Sequence, residues 1–390
     1  MSTLNTTRIN FYDTLFERQN IPDCVLKIGY KESGVLLYKG VNESSKGLGQ
    51  ENFSIQIIPE YFDIGYQNHL CKKAINEYRL GYASKLNDFK DVNSYLKSQF
   101  GKNARPILKN IKRLEMCFNV NYVFYHGEIE KSKYDFLMEA LRNMLTKRFQ
   151  QRNDSNFRLN EWEELRHRTY NLIKIKRASL FVIYNDNAPI QINVQYHFKD
   201  ILIGSIASYN IDYQLFSLGN TGVYKQIEWC IANNYSIYDQ GHGDLEYKRR
   251  WSNLIYNFKH HVVFSKSDLK SKFKANIEVL KVRVKAFLRK KKAVETLKTI
   301  KSKFSKSSQG KTIEEKSFQI IELESIKDEI NTFILINWKA PEYQFLVKNI
   351  CNFLYYKFEH YNNLEVFQHK LDSSIFIIRG KNTFQKLVFH

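Results

Sequence analysis

Apolar positions along the chain follow two periods, and the change from one to the other marks the elements. Three short apolar runs, ASLFVIY from Ala178, PIQINVQYHF from Pro189 and ILIGSIASY from Ile201, are separated by Asn185–Asn187 and by Lys199 with Asp200. Residues of those types turn the chain, so the pattern predicts three strands in an antiparallel meander. Upstream, Asn119–His126 alternates like a strand, while Lys131–Phe149 and Asn160–Ile175 have helical periodicity with charged outer faces. Two further helices are expected, one over about Phe89–Phe100 and one starting near Pro106, because proline suits a first helical turn and the residue before it resists helix. Downstream, the pattern predicts a helix over Thr221–Ala232, a strand over Ser236–Tyr238, a loop, a short helix and a strand near His261–Phe264. The core is therefore α/β of mixed strand order.

The flanks read differently. From Ser265 to Lys311 there are 16 Lys or Arg against three acidic residues, and Leu269, Phe273, Ile277, Leu280, Val284, Phe287, Val294 and Leu297 recur every three or four positions. That is a basic amphipathic helix or helix pair. Ser305–Gly310 reads as a linker. Beyond it, a strand-like run (SFQIIELESI), a helix-like run over Glu342–Tyr361 and a terminal hairpin candidate suggest a small α+β appendage. Four segments follow: an N-terminal α/β portion packing on the core (1–87), the core (88–264), the basic helical segment (265–311) and the appendage (312–390).

Composition narrows the class. Apolar residues at 43% exclude a wholly disordered chain, and a net charge of +20 calls for an anionic partner, whether nucleotide phosphates, nucleic acid or an acidic lipid surface. Cys24, Cys71, Cys117, Cys230 and Cys351 are far apart with no CxxC pair, and no His/Cys/Asp cluster has ligand spacing, so neither a disulfide framework nor a metal is expected. The first twenty residues have no apolar core of signal-peptide length, and no stretch reaches the ~18 apolar residues of a membrane span. A cytoplasmic protein is expected, with a peripheral position at the inner membrane face as the alternative if the basic helix meets lipid.

Two stretches concentrate chemistry. Ser217-Leu218-Gly219-Asn220-Thr221-Gly222 links the third strand to a helix, where glycines allow a close turn, Asn220 or Thr221 can cap, and the first amides and the helix dipole suit a diphosphate. An ordinary capped helix start would look the same. The second stretch, Tyr238 to Trp251 (YDQGHGDLEYKRRW), sets Asp239, His242, Asp244, Tyr247, Lys248 and Arg249 around two glycines after a short strand, where open α/β sheets place ligands. The purely structural alternative has Asp244 capping a helix from Leu245, Tyr247 and Trp251 packing on the core, and Lys248 to Arg250 facing water.

The run SLGNTGVYKQIEWCIANNYSIYDQGHGDLEYKRRW resembles the C-terminal signature of GNAT-superfamily acetyltransferases of the cellulose-biosynthesis (CelD-like) type. Ser217 and Gly219 match its turn, Asp239 its first acid, Gly243 and Asp244 its Gly-Asp, and Tyr247, Lys248 and Trp251 its end. Leu218 stands where the family has Pro, Asn234 where it has Gly, and Asn210 where it has Asp; asparagine tolerates left-handed backbone. YLKSQFGKNARPILKNIKRLE is similar to the family's basic first helix, with Lys102, Arg105, Lys109, Lys112 and Arg113 near one side. The likeness spans about residues 88–264.

The resemblance implies a GNAT acyl-CoA N-acyltransferase fold with a mixed, largely antiparallel central sheet, acetyl-CoA or another acyl-CoA as co-substrate, and an amine or hydroxyl acceptor on a sugar or cell-envelope polysaccharide precursor. It places the cofactor on Ser217, Gly219, Asn220, Thr221 and Gly222. Asp239 or His242 is the candidate base, and Tyr247 the candidate acid for the leaving thiolate. Asp244, Lys248 and Arg249 are left for the acceptor or a CoA phosphate. His197 is read as a surface residue without a role. The same core is similar to Fem-type aminoacyltransferases, which implies aminoacyl-tRNA as donor and a lipid-linked peptidoglycan precursor as acceptor. A non-catalytic basic nucleic-acid-binding protein is the third reading. For the basic helix the two readings are packing on the catalytic domain, charges outward, and contact with an anionic membrane surface.

Overall fold

The computed structural model describes residues 6–41, 52–152, 160–303, 317–326 and 330–390. The N-terminal region is strands: β1 (Thr6–Asn10), β2 (Val25–Tyr30), β3 (Leu36–Lys39), β4 (Asn52–Pro59), β5 (Phe62–Tyr66) and the long β6 (Leu70–Lys85). Its helical content among the described residues is one short stretch, residues 11–17, π-helical over Asp13–Glu17, where an α/β portion was expected. The middle follows the predicted order: α1 (Val92–Phe100), α2 (Ala104–Cys117), β7 (Val120–Tyr125), α3 (Lys131–Arg152), α4 (Trp162–Lys174), β8 (Ala178–Asn185), β9 (Ala188–Phe198), β10 (Ile201–Tyr209), α5 (Leu218–Ala232), β11 (Ile237–His242), α6 (Glu246–Trp251) and β12 (Leu254–Ser265). Then come α7 (Leu269–Lys303), β13 (Phe318–Leu323), β14 (Phe333–Ile336), α8 (Val347–Lys357), β15 (Glu365–His369), β16 (Ile375–Arg379) and β17 (Phe384–Phe389). The two-residue turns of the meander carry left-handed backbone at Asp186 and Lys199, with φ of +50° and +54°.

Nine strands are hydrogen-bonded in the order β1-β4-β12-β6-β11-β10-β9-β8-β7, the mixed sheet that the resemblance implies. β1 pairs with β4 and β10 with β11 in parallel, while β12 is antiparallel to β4 and β6, β11 to β6 and β7 to β8. The chain forms two discontinuous units, one of Met1–Asp91, Gln195–Ser205 and Trp229–Gln309, the other of Val92–Val194, Ile206–Glu228 and Gly310–His390. The four segments expected from the sequence distribute over these units rather than coincide with them. The linker expected at 305–310 lies outside the described residues.

In the first unit, α7 covers β6 and β12 with small side chains: Ala275, Val279 and Val282 pack on Ile75, Val262 and Phe264. Asp268 caps the helix by accepting from the Lys270 amide at 2.9 Å, and Ser271 Oγ donates to Asn52 Oδ1 while Asn52 Nδ2 donates to the Ser271 carbonyl. Glu77 is buried beside it, accepting from Arg289 at 2.8 Å and from the Ile57 amide at 3.0 Å, with His260 Nδ1 3.5 Å away. This corrects the expected packing of the helix. The stripe of large apolar residues faces outward, because the strands beneath leave room only for the alanines and valines of the opposite face.

In the second unit, the five-stranded sheet β13-β17-β16-β15-β14 and α8 share one core with α2, β8 and β9. Leu114, Phe118, Phe181 and Phe216 meet Leu346, Phe353 and Phe376 there. β14 and β15 were not expected from the sequence. Arg113, expected on the basic outer face of α2, is instead buried between the rings of Tyr355 and Phe358, at 4.2 and 3.8 Å from their centroids.

Candidate active site

The candidate residues fall in two clusters, one in each unit. The strand pairing that leads to them breaks early: β10 pairs with β11 only from Ile201 to Ile203, opposite Ile237 to Asp239, then runs on to Tyr209. Past Ile203 its amides and carbonyls are released from that ladder.

After β10 comes Asn210, whose side chain accepts from the Asp212 amide at 3.1 Å and starts the 3-10 segment Ile211–Phe216. Asn210 is extended, not left-handed, so it serves as a cap; Asn234, at φ +59°, does take the left-handed position. Ser217, at φ +53°, begins the next turn. Its carbonyl accepts from the Asn220 amide at 2.9 Å and the Thr221 amide at 3.2 Å, and its hydroxyl accepts from Asn110 Nδ2 at 3.1 Å.

Two of the amides expected to bind phosphate are thus bonded within the turn. Leu218 and Gly219, as the first two residues of α5, have amides with no intrahelical partner, and Gly219 is exposed. Thr221 is buried, with its hydroxyl unpartnered. Gly222 closes on the sheet, where a Cβ would overlap Gln191 Nε2 and stand 2.9 Å from its Cδ. Of the five cofactor candidates, Ser217, Gly219 and Asn220 line the outer side of the turn and Thr221 and Gly222 its inner side. Arg105, Lys109 and Lys112 are exposed on α2, the helix that Asn110 ties to Ser217, and Lys102 is exposed in the 3-10 turn Gly101–Asn103 before it.

The second cluster is built around Asp239, which is fully buried. Tyr61 and Tyr256 each donate to its Oδ2 at 2.7 Å, and the Gly241 amide donates to Oδ1 at 2.6 Å. Burial raises the carboxyl above its ordinary range, with the phenols, the amide and Lys248 acting the other way. The same burial, with the Asp239 charge, drives both phenols well above ordinary tyrosine values. Gly241 and Gly243 have φ of +70° and +103°, and the pairing of β11 with β6 shifts register between Asp239 and His242, so the loop bulges out.

His242 is exposed on this bulge, edge-on to the Phe258 ring at 6.2 Å. Lys248 donates to the carbonyls of Gln240 and His242 at 2.7 and 2.8 Å, and burial lowers its amine to about 8 despite the Asp239 charge. Asp244 does not cap: α6 starts at Glu246 with no side-chain cap, and Asp244 Oδ1 accepts from Tyr82 at 2.6 Å and pairs with Arg249 at 2.8 Å. Tyr247 is 40% exposed, whereas Trp251 is fully buried.

Sequence reasoning missed Tyr61 and Tyr256, which hold Asp239 from the turn before β5 and from β12 and carry no local signal. It also placed His197 on the surface. His197 is buried, with Nδ1 2.7 Å from the Tyr235 hydroxyl and its ring against Trp229. The polar alternation along β9 reads as a solvent face, but α5 covers it. Among the described residues no group of three His, Cys, Asp or Glu side chains could hold a metal ion, and no helix is long and apolar enough to cross a membrane.

Comparison with known proteins gives the class. Residues 102–249 match the family described as Acetyltransferase (GNAT) domain. Over that segment the chain carries a GNAT-type acetyltransferase domain, which makes it an acyltransferase, and the GNAT fold implies an acyl-CoA co-substrate. No curated protein matches it. Among solved structures it is similar to FemX (8% identity, 54% of this chain and 71% of that one, TM-score 0.39) and to L-PGS from Bacillus licheniformis (8%, 60% and 72%, 0.34). It is also similar to a tandem GNAT protein from the clavulanic acid biosynthesis pathway (7%, 56% and 65%, 0.29). Likenesses of this size assign neither substrate nor partner.

Proposed function

We propose that the protein transfers an acetyl or other acyl group from acyl-CoA to an amine or hydroxyl of a sugar or cell-envelope polysaccharide precursor, as a CelD-like GNAT enzyme. The observation that carries the acyl-CoA reading is the break in β10–β11 pairing after Ile203, within the matched segment and followed by a turn whose first helical amides have no intrahelical partner. In this reading the amides of Leu218 and Gly219 meet the diphosphate, and the exposed cations of α2 add charge. His242 takes the acceptor proton as the new N–C or O–C bond forms at the thioester carbon. The C–S bond breaks, and Tyr247 returns a proton to the thiolate. Asp239 is a positioning residue: its Oδ1 holds the His242 bulge through the Gly241 amide, and its Oδ2 is taken by Tyr61 and Tyr256. Lys248 clamps the same bulge, and Arg249 with Asp244 forms its exposed polar edge, where an acceptor would bind.

Fem-like aminoacyl transfer to a lipid-linked peptidoglycan precursor is the second reading, favoured by the basic charge of α7. A thermal-shift series with acetyl-CoA, longer acyl-CoAs and aminoacyl-tRNA tests both. A ligand that binds only the native state raises the melting temperature, by about 2.7 kcal/mol of stability at a hundredfold excess over Kd. A shift with acyl-CoA and none with aminoacyl-tRNA supports the first reading, and the reverse overturns it.

A further inference from the structure

Over residues 269–290 helix α7 has two apolar faces, and among the described residues only one of them is packed. Ala275, Val279, Val282 and Ala286 are buried, while Leu269, Phe273, Ile277, Leu280, Val284 and Phe287 stand 42–80% exposed. Those six recur at intervals of three or four, so they form one continuous outward stripe nearly opposite the packed face. Leu288 extends it at 54% exposure.

Isolated exposed apolar residues are ordinary, but a six-residue row along one helix is an interaction surface. The packed face is secured independently of it: Ser54 Oγ donates to Glu278 at 2.9 Å, Arg289 pairs with Glu77, and Asn52 and Ser271 fasten the first turn. The helix is therefore held in place with its larger side chains outward.

Charge decides the occupant. At 3.6 residues per turn, Lys281 and Lys285 border the stripe on one edge and Lys272, Arg283 and Lys290 on the other, all exposed. The acidic residues here, Glu278 and Asp268, lie away from it, on the packed side and at the cap. A flat apolar row between two rows of cations complements an anionic lipid surface, where acyl chains receive the Phe and Leu side chains and headgroups meet the Lys and Arg. A partner protein of this chemistry would need an apolar groove with acidic rims on both sides, and a second copy of the same face would set cation rows against each other.

We propose that the outward face of α7, over residues 269–290, docks the protein onto an anionic membrane surface, in the plane of the headgroups. The inference stands apart from the acyl-transfer reading, since vesicle binding and acyl-CoA binding are read by separate assays. The test is co-flotation of the full chain with phosphatidylcholine vesicles, with and without phosphatidylglycerol. Binding to the anionic vesicles is expected, falling at least tenfold for the double variant Phe273→Ser/Phe287→Ser and about 25-fold for Lys281→Gln/Lys285→Gln, at roughly fivefold per charge. Because Phe273, Phe287, Lys281 and Lys285 are exposed, both variants are expected to keep wild-type circular dichroism, and any acetyl-CoA thermal shift is expected to persist. The proposal is overturned if wild type ignores anionic vesicles, or if the serine variant floats as well as wild type. It is also overturned if sizing shows a dimer that the serine variant dissociates while no vesicle binding occurs.

Discussion

Gly219 and Gly222 look alike in the sequence, three residues apart at one helix start, yet the structure assigns them opposite faces. Alanine at Gly219 meets only Tyr209 Cε1 at 4.0 Å, an ordinary contact, and gains up to ~1 kcal/mol of helix propensity. Alanine at Gly222 gains a similar amount but must displace Gln191, which is buried and donates to Asn193 Oδ1 at 3.0 Å. Losing that bond leaves a buried acceptor unpaired, at about 1–3 kcal/mol, and overpacking adds about 1–3 kcal/mol. The net expectation for Gly222→Ala is about 3 kcal/mol of destabilisation, or a melting temperature lower by about 4 °C for a chain of 390 residues. Gly219→Ala should melt at or above wild type. The larger Gly219→Val should keep the wild-type melting temperature yet lose the shift induced by acetyl-CoA, because its branched side chain stands over the two amides. Calorimetry of the three variants with and without acetyl-CoA gives all the comparisons. If Gly222→Ala is as stable as wild type, or Gly219→Ala is the weaker of the two, the division of the turn into inner and outer sides is wrong.

Three further outcomes follow from the geometry. His242→Ala should lower turnover about 10²–10⁴-fold with the melting temperature unchanged, read as release of free CoA thiol; full activity would remove His242 as the base. Burial pushes the Glu77 carboxyl up, but His260, the Ile57 amide and Arg289 outweigh it and hold it at about 2, below the ordinary 4.5. A depressed acid stabilises the fold above its unfolded value and loses that contribution as pH falls from about 4.5 towards 2. Glu77→Gln should therefore be less stable by about 3 kcal/mol at neutral pH, with the gap closing in acid, and a pH-independent gap in urea unfolding would contradict this. Arg113→Lys keeps the charge but loses the flat stack between Tyr355 and Phe358. A loss of about 1–2 kcal/mol is expected in thermal unfolding, and none would mean the rings contribute nothing.

Much of the candidate site was legible before any coordinates. Asp239, the two glycines after it and the exposed His242 stand within five positions, and the turn at Ser217 to Gly219 follows from residue types that favour it locally. What was not legible came from elsewhere in the chain. Tyr61 and Tyr256 reach Asp239 from β5's preceding turn and from β12, and they, with the Gly241 amide, turn an apparent base into an enclosed anchor. Gln191 on β9 decides what Gly222 does. Arg113 reads as one more surface cation until α8 supplies its two rings.

The sequence by itself determined the order of helices and strands from Val92 to Ser265, the turns between them and the amphipathic character of α7, because period, turn residues and caps are energies of neighbours along the chain. Only the tertiary structure decided which stripe of α7 is buried, that the polar face of β9 lies under α5, and that strands 317–389 share a core with α2. Those outcomes depend on the volume and polarity that remote segments present, and no residue carries a record of its future neighbours.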